Sequence, residues 1–311
     1  MSLSRTTKAY LQVHVCVVLW GFTPIFGRLI ELPALALVWW RMLIVTVALL
    51  LLPRVRRQLM NMPLRQMGIY AGIGLLVAVH WLLFYAAIKL ANASVGAICI
   101  AVAPVFLALI EPRVAGRAFN PRELLLGVGV VPGVAMIVGG IPAGMYLGLA
   151  LGLVSAVFVA AFSACNKRMA GRAGPLAVTC IELGAGTAFL TLLAPLIPHA
   201  GAALPLPGWH DAWLLVLMSL GCTLLPFALI LKALRHVSAF GTQMATNLEP
   251  VYAIVLAIPL FGEQLEVGPL FYLGVALVIA TVAAHPLLGR RRPRKPPKDV
   301  LATAEAHNVG E

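Results

Sequence analysis

Charge is scarce in this 311-residue chain: 11% of its residues are Asp, Glu, Lys or Arg, while 61% are hydrophobic. A soluble domain of ordinary composition carries about 25% charge, so a fully water-facing surface is excluded. Acidic residues are the scarcest, 11 against 23 Lys and Arg, for a net charge of +12. That excess does not imply nucleic-acid binding, because the basic residues sit in short segments between apolar runs and in the C-terminal tail. No nucleic-acid partner is expected. The five cysteines, Cys16, Cys99, Cys165, Cys180 and Cys222, are scattered through apolar runs, without the clustered spacing of a disulfide framework or zinc site. A Walker A sequence is absent, which excludes direct use of ATP, and so is an HExxH pair. His, Asp and Cys are not grouped as a membrane enzyme would need, so the expectation is no enzyme, no cofactor and no metal. Nor is there a filter motif or ring of charge of the kind channels use. The start, MSLSRTTKAYLQ, lacks a small-residue cleavage site, so the first apolar run reads as a span rather than a leader.

What is present is a series of ten apolar runs, near 10–29, 34–52, 68–88, 93–111, 123–140, 145–165, 176–196, 213–231, 238–260 and 269–288. Each is long enough, at roughly 18–23 residues, to cross a hydrocarbon core of about 30 Å as a helix. With the N-terminus inside, all Lys and Arg except Arg28, Arg41 and Lys89 fall on the cytoplasmic side, as the positive-inside rule requires. Trp39, Trp40, Trp209 and Trp213 then form an outer aromatic belt. The expected fold is an all-α integral membrane protein of ten transmembrane helices, in a bacterial-type plasma (inner) membrane, with both termini cytoplasmic. Residues 1–9 are a cytoplasmic N-terminus, 10–140 and 145–288 two five-helix units, and 289–311 a basic, disordered cytoplasmic tail.

The two units share a design. The stretch from His80 to Phe106 is echoed from Pro226 to Ala253; with Gly96 over Gly241 and Pro104 over Pro250, the spacing differs by one residue. Pro104 and Pro250 are each followed twelve residues later by glycine, in Gly116-Arg117 and Gly262-Glu263. Five spans are an odd number, so the second unit enters from the opposite side, giving the inverted repeat that many carriers use for alternating access.

Three segments carry a family resemblance: LWGFTPIFGR with Trp20 and Gly21, the Pro-Val-Phe from Pro104 to Phe106, and NLEPVYAIVLAIPLFGEQL with Glu249, Pro250, Gly262 and Glu263. In their order and in the five-plus-five repeat, the chain resembles the EamA family of the drug/metabolite transporter superfamily over about 10–288. The resemblance implies a central cavity between the halves and a cargo of amino acids, sugars, vitamins or other metabolites, exported by many bacterial members. One position departs from the pattern. The family's Gly-Glu after the fourth span is Gly116-Arg117 here, so the first half is expected to have lost that acidic contact.

The candidate substrate-binding residues are Trp20, His80, Trp81, Tyr85, Pro104, Thr246, Glu249, Pro250 and Tyr252. A proline in a helix leaves the carbonyl four residues earlier without its partner; Pro104 frees Ile100 and Pro250 frees Thr246, unless each is only a packing kink. Glu249 lies mid-span, where a carboxylate costs roughly 2.5–3.5 kcal/mol on insertion scales, and Thr242, Thr246 and Glu249 share a helix face. The alternative is a carboxyl that glues two helices together. Glu249, His80 and Glu182 are the candidates for proton coupling, with a neutral core histidine as the other reading of His80. Gly68-Gly72, Gly129-Gly133 and Gly144-Gly148-Gly152 suit close helix approach. The expected function is a secondary carrier for a small-molecule substrate, an amino acid or related metabolite moved outward, in contact with membrane lipid and with monomer or homodimer left open. A multidrug exporter of lipophilic cations is the alternative.

Overall fold

Prolines set most of the helix boundaries. The computed structural model describes residues 4–197, 202–246 and 248–288, and within them every regular element is helical. The basic tail from 289 lies outside the described residues. Ser4 caps α1 (Arg5–Gly21), its Oγ accepting from Thr7 N at 3.1 Å. Pro24 cannot donate to the Trp20 carbonyl, so the chain breaks there before α2 (Thr23–Leu29), and the Thr23 hydroxyl donates to that carbonyl instead, at 2.8 Å. α3 (Ala34–Leu50) gives way at Pro53 to the basic α4 (Pro53–Met60), and the pair is bent by 90°. α5 (Leu64–Leu90) runs unbroken. Next comes α6 (Ala93–Cys99), a 3-10 turn at Ile100–Val102, and α7 (Ala103–Ala115). α8 (Pro121–Val128) and α9 (Val131–Gly139) are separated just ahead of Pro132. The second half holds α10 (Tyr146–Met169), α11 (Pro175–Leu193), α12 (Trp209–Ser219), a π turn at Leu220–Leu224 and α13 (Leu225–Ala233). α14 (Ala239–Thr246), α15 (Glu249–Phe261) and α16 (Pro269–Leu288) complete it.

Seven of the described helical segments are long and apolar enough to cross a membrane, or eight if the bent α3–α4 pair is one span. The expected runs 34–52, 123–140 and 269–288 are not among the seven. The first bends at Pro53 and the second is split into α8 and α9, whereas the third is one 20-residue helix, α16. α5 packs on α10 and α11, α3 on α11, α7 on α10, α1 on α13 and α9 on α16.

Close helix approach uses some of the glycines the spacing suggested, Gly133, Gly148 and Gly152, and others that it did not, Gly74 and Gly274. Gly68, Gly72 and Gly144 face open space, whereas an added Cβ at Gly74 would lie 2.1 Å from the Glu182 carbonyl oxygen. Gly133 and Gly274 lie against each other's carbonyls across α9 and α16 in the same way, and Gly148 and Gly152 rest on Ala87 and Cys99. A small-xxx-small pattern shows where a backbone could approach, but helix rotation decides which of its glycines does.

Hydrogen bonds give the register of the repeat. Asn92 Oδ1 accepts from Val95 N at the start of α6, and Ser238 Oγ accepts from Gly241 N at the start of α14, both at 2.9 Å. Asn92 and Ser238, Pro104 and Pro250, and the left-handed Gly116 (φ 69°) and Gly262 (φ 68°) are each 146 residues apart. The match therefore needs no one-residue adjustment, and Val95, not Gly96, stands opposite Gly241.

Each half also clasps the other. Glu263, fully buried, accepts from Ala93 N and Ser94 N at 3.0 Å each, from Ser94 Oγ at 2.5 Å and from Arg28 at 2.6 Å. Glu111, also fully buried, accepts from Ala239 N at 3.2 Å, Phe240 N at 3.0 Å and Arg117 at 3.2 Å. Ala239 and Phe240 are the 146-residue equivalents of Ala93 and Ser94. The first half has therefore kept its acidic contact, contrary to the expectation drawn from Arg117. The carboxylate comes from Glu111, six residues earlier, and Arg117 at the old position pairs with it.

Candidate functional site

Between the halves lies a cavity lined by residues of both. Trp20 and Thr23 reach it from the α1–α2 break, Arg41 from α3, and His80, Trp81 and Phe84 from α5. Phe162, Ser163 and Asn166 of α10, Phe227 of α13, and Thr242, Gln243, Thr246 and Glu249 of α14–α15 form the facing wall. Ile100 and Thr246, each four residues before a repeated proline, both line it, the Ile100 carbonyl accepting from Ala103 N in the 3-10 turn.

Glu249 opens α15 and is 7% exposed. Among the described residues its carboxylate has neither an ion pair nor a side-chain hydrogen bond, and it faces the cavity. Arg41, 2% exposed, lines the same cavity and is held in place there. Its Nε donates to Thr223 Oγ1 at 2.6 Å, Nη1 to Tyr85 Oη at 2.5 Å and Nη2 to the Cys222 carbonyl at 3.4 Å. The guanidinium also stacks over Trp81, 4.0 Å from the ring centroid, an arrangement favoured by the ring quadrupole. The acceptor at Cys222 has a local cause: Pro226, four residues on, cannot donate to it, and the π turn at Leu220–Leu224 presents both Cys222 and Thr223.

His80 Nδ1 lies 2.7 Å from Ser155 Oγ, which also meets the His80 carbonyl at 2.9 Å, so the ring is tied to α10 while lining the cavity. Asn166 Oδ1 and Gln243 Nε2 line the same space and have no hydrogen-bond partner among the described residues.

The sequence-derived candidates divide accordingly. Trp20, His80, Trp81, Thr246 and Glu249 come together around the cavity. Tyr85 lies behind the wall, fully buried, where its hydroxyl holds Arg41. Pro104 and Pro250 are buried within their helices, outside the lining. Tyr252 is 42% exposed and turns outward, its Cβ against Gly21. Glu182 is fully buried, with both carboxylate oxygens unpartnered among the described residues, and does not line the cavity. Arg41, Phe162, Phe227, Asn166 and Gln243 are among the lining residues outside the sequence-derived set. Arg41 had a usable signal, a lone cation within an apolar run.

The sequence profile of the EamA-like transporter family matches residues 7–139 and 146–285. A protein of Streptantibioticus cattleyicolor named "Probable terminal-alkyne amino-acid exporter" is 28% identical over 208 residues, spanning 66% of this chain and 68% of that protein. A solved structure titled "Crystal structure of protein" superposes with a TM-score of 0.68 at 18% identity, over 93% of this chain and all of the other. At that identity the likeness concerns the fold alone.

Proposed function

The chain belongs to the EamA-like transporter family, and from that premise we propose that it exports a small metabolite, an amino acid or related compound, by alternating access around the central cavity. The relative named as an amino-acid exporter supports that substrate class. In this reading the broken or bent pairs α1–α2, α3–α4, α6–α7, α8–α9, α12–α13 and α14–α15 each count as one span. With α5, α10, α11 and α16 they make ten, arranged as two inverted five-helix repeats in a bacterial-type inner membrane, both termini cytoplasmic.

The observation that carries the reading is the Glu249 carboxylate, without a partner among the described residues and lining a cavity between the two halves at the break of a repeated helix. A mid-membrane acid without a partner is costly, and exchange of a proton for substrate at that carboxylate gives it a use. His80 and Glu182 are secondary candidates for the proton's path. The aromatic wall and Glu249 would also suit a lipophilic cation, but Arg41 on the same cavity repels one. The test is counterflow in proteoliposomes with radiolabelled amino acids, sugars and organic cations, with and without a pH gradient. Glu249→Gln is expected to slow exchange about ten- to a hundredfold, the worth of a charge-assisted contact of roughly 1.5–3 kcal/mol, and to flatten its pH dependence. An unchanged rate and pH profile would remove Glu249 from the mechanism.

A further inference from the structure

Two opposite charges face the cavity without pairing. Neither Arg41 nor Glu249 forms an ion pair within 4.0 Å with each other or with any described residue, and both are buried. An arginine has five N–H donors; three of Arg41's are engaged, by Thr223, Tyr85 and Cys222, and two are left. The groups that engage it hold the guanidinium in one orientation, so the remaining edge is presented without rearrangement. A carboxylate and a guanidinium buried in one cavity, neither with an ion-pair partner among the described residues, are each costly. A molecule carrying both complementary charges offsets both at once. A cation alone leaves Arg41 uncompensated and repelling it, and an anion alone does the same at Glu249. The rest of the lining sorts just as clearly. Trp20, Phe84, Phe162 and Phe227 are apolar, while Asn166 and Gln243 offer an acceptor and a donor that have no partner among the described residues.

Resting on the carrier reading, we infer that the cavity recognises the zwitterionic head of an α-amino acid with an apolar side chain. Its carboxylate takes the two remaining N–H groups of Arg41, its ammonium takes Glu249, and its side chain lies on the aromatic wall. Arg41 is then a specificity-determining residue. It admits amino acids, and excludes both the amines left by removing the carboxylate and the lipophilic cations that Glu249 alone would accept.

The test needs no variant to begin. Leucine, phenylalanine and methionine are each compared in proteoliposome counterflow with the amine lacking the α-carboxylate and the acid lacking the α-ammonium. At least one amino acid is expected to exchange at a saturable rate, with both of its analogues at least tenfold slower. Arg41→Gln is expected to abolish that discrimination, slowing the amino acid at least tenfold while leaving the amine unchanged or faster. Arg41→Lys, which keeps the charge, is expected to retain part of it. A merely structural role for Arg41 predicts instead that all three solutes slow together. Exchange of an amine or acid as fast as its parent amino acid overturns the inference and leaves the carrier reading intact. Failure of all nine solutes also overturns it; exchange of sugars or organic cations in the same vesicles would then preserve the carrier reading, and their failure would remove that as well.

Discussion

Glu263→Ala is expected to cost about 3–5 kcal/mol of stability, the usual effect of removing one partner from a buried ion pair. Two backbone N–H groups at the start of α6, the Ser94 hydroxyl and the Arg28 guanidinium all converge on this one carboxylate. Without it, donors at a buried helix start lose their acceptor, and neither lipid nor bulk water replaces it. Glu111→Ala is expected to act in the same way at α14, where Ala239 N and Phe240 N lose theirs. The repeat allows a sharper test. Because Arg117 occupies the position equivalent to Glu263, the double variant Glu111→Ala/Arg117→Glu places the acid where the second half carries it. That variant is expected to recover at least half of the loss seen in Glu111→Ala alone. Thermal unfolding in detergent, followed by the fraction of monodisperse protein, measures all three. A Glu263→Ala protein that melts with the parent would show that these contacts carry no stability.

The same clasp gives a pH dependence. The hydrogen bond from Arg28 holds the Glu266 carboxyl below the ordinary carboxylate range against the opposing effect of burial, with help from Asn92. A carboxyl whose folded value is depressed stabilises the fold above its unfolded value, about 4.3 for glutamate, and loses that contribution as pH falls through the folded one. Melting temperatures of the parent and Glu266→Gln are therefore expected to differ at neutral pH and to converge in acid below about pH 4. A gap that stays constant down to that pH would exclude the Arg28 contact as its source.

Gly74→Leu is expected to be the most disruptive change within the helix packing. Even the first carbon of a side chain there would fall 2.1 Å from the Glu182 carbonyl oxygen and 2.8 Å from its carbonyl carbon, both backbone atoms that no rotamer change can move. α5 and α11 would have to separate along a major helix contact of the fold. Overpacking a core commonly costs about 1–3 kcal/mol, occasionally more, and the backbone clash puts this site at or above the upper end. Gly72→Leu, two residues away on a face with nothing within 4 Å, is the matched control and is expected to melt close to the parent. Equal melting of the two variants would mean that α5 and α11 do not meet at Gly74.

How much could be read beforehand differed by feature. Glu249 and His80 stood out because an ionisable group in an apolar run is visible without knowing which way a helix faces. The helix breaks at Pro24, Pro53 and Pro226 follow from a missing N–H, a local property. Tyr252 is one turn from Glu249 by spacing, yet it turns outward, and Tyr85 supports the wall instead of lining it. Those outcomes depend on helix rotation. In a soluble protein the polar face of a helix reveals its rotation. In a membrane the outer face is as apolar as the packed one, and that signal is lost.

The sequence by itself determined that the chain is a helical membrane protein, that it repeats a design, and that buried charge is rare enough to mark a site. Composition, proline and charge act residue by residue, so they are legible without coordinates. Only the tertiary structure decided that Glu111 replaces the missing acid at position 117, that Val95 and not Gly96 matches Gly241, and that Arg41 shares a cavity with Glu249. Each of these is a contact between segments distant in the chain. The closing geometry depends on how whole helices rotate and pack, and no local preference of the residues involved encodes it.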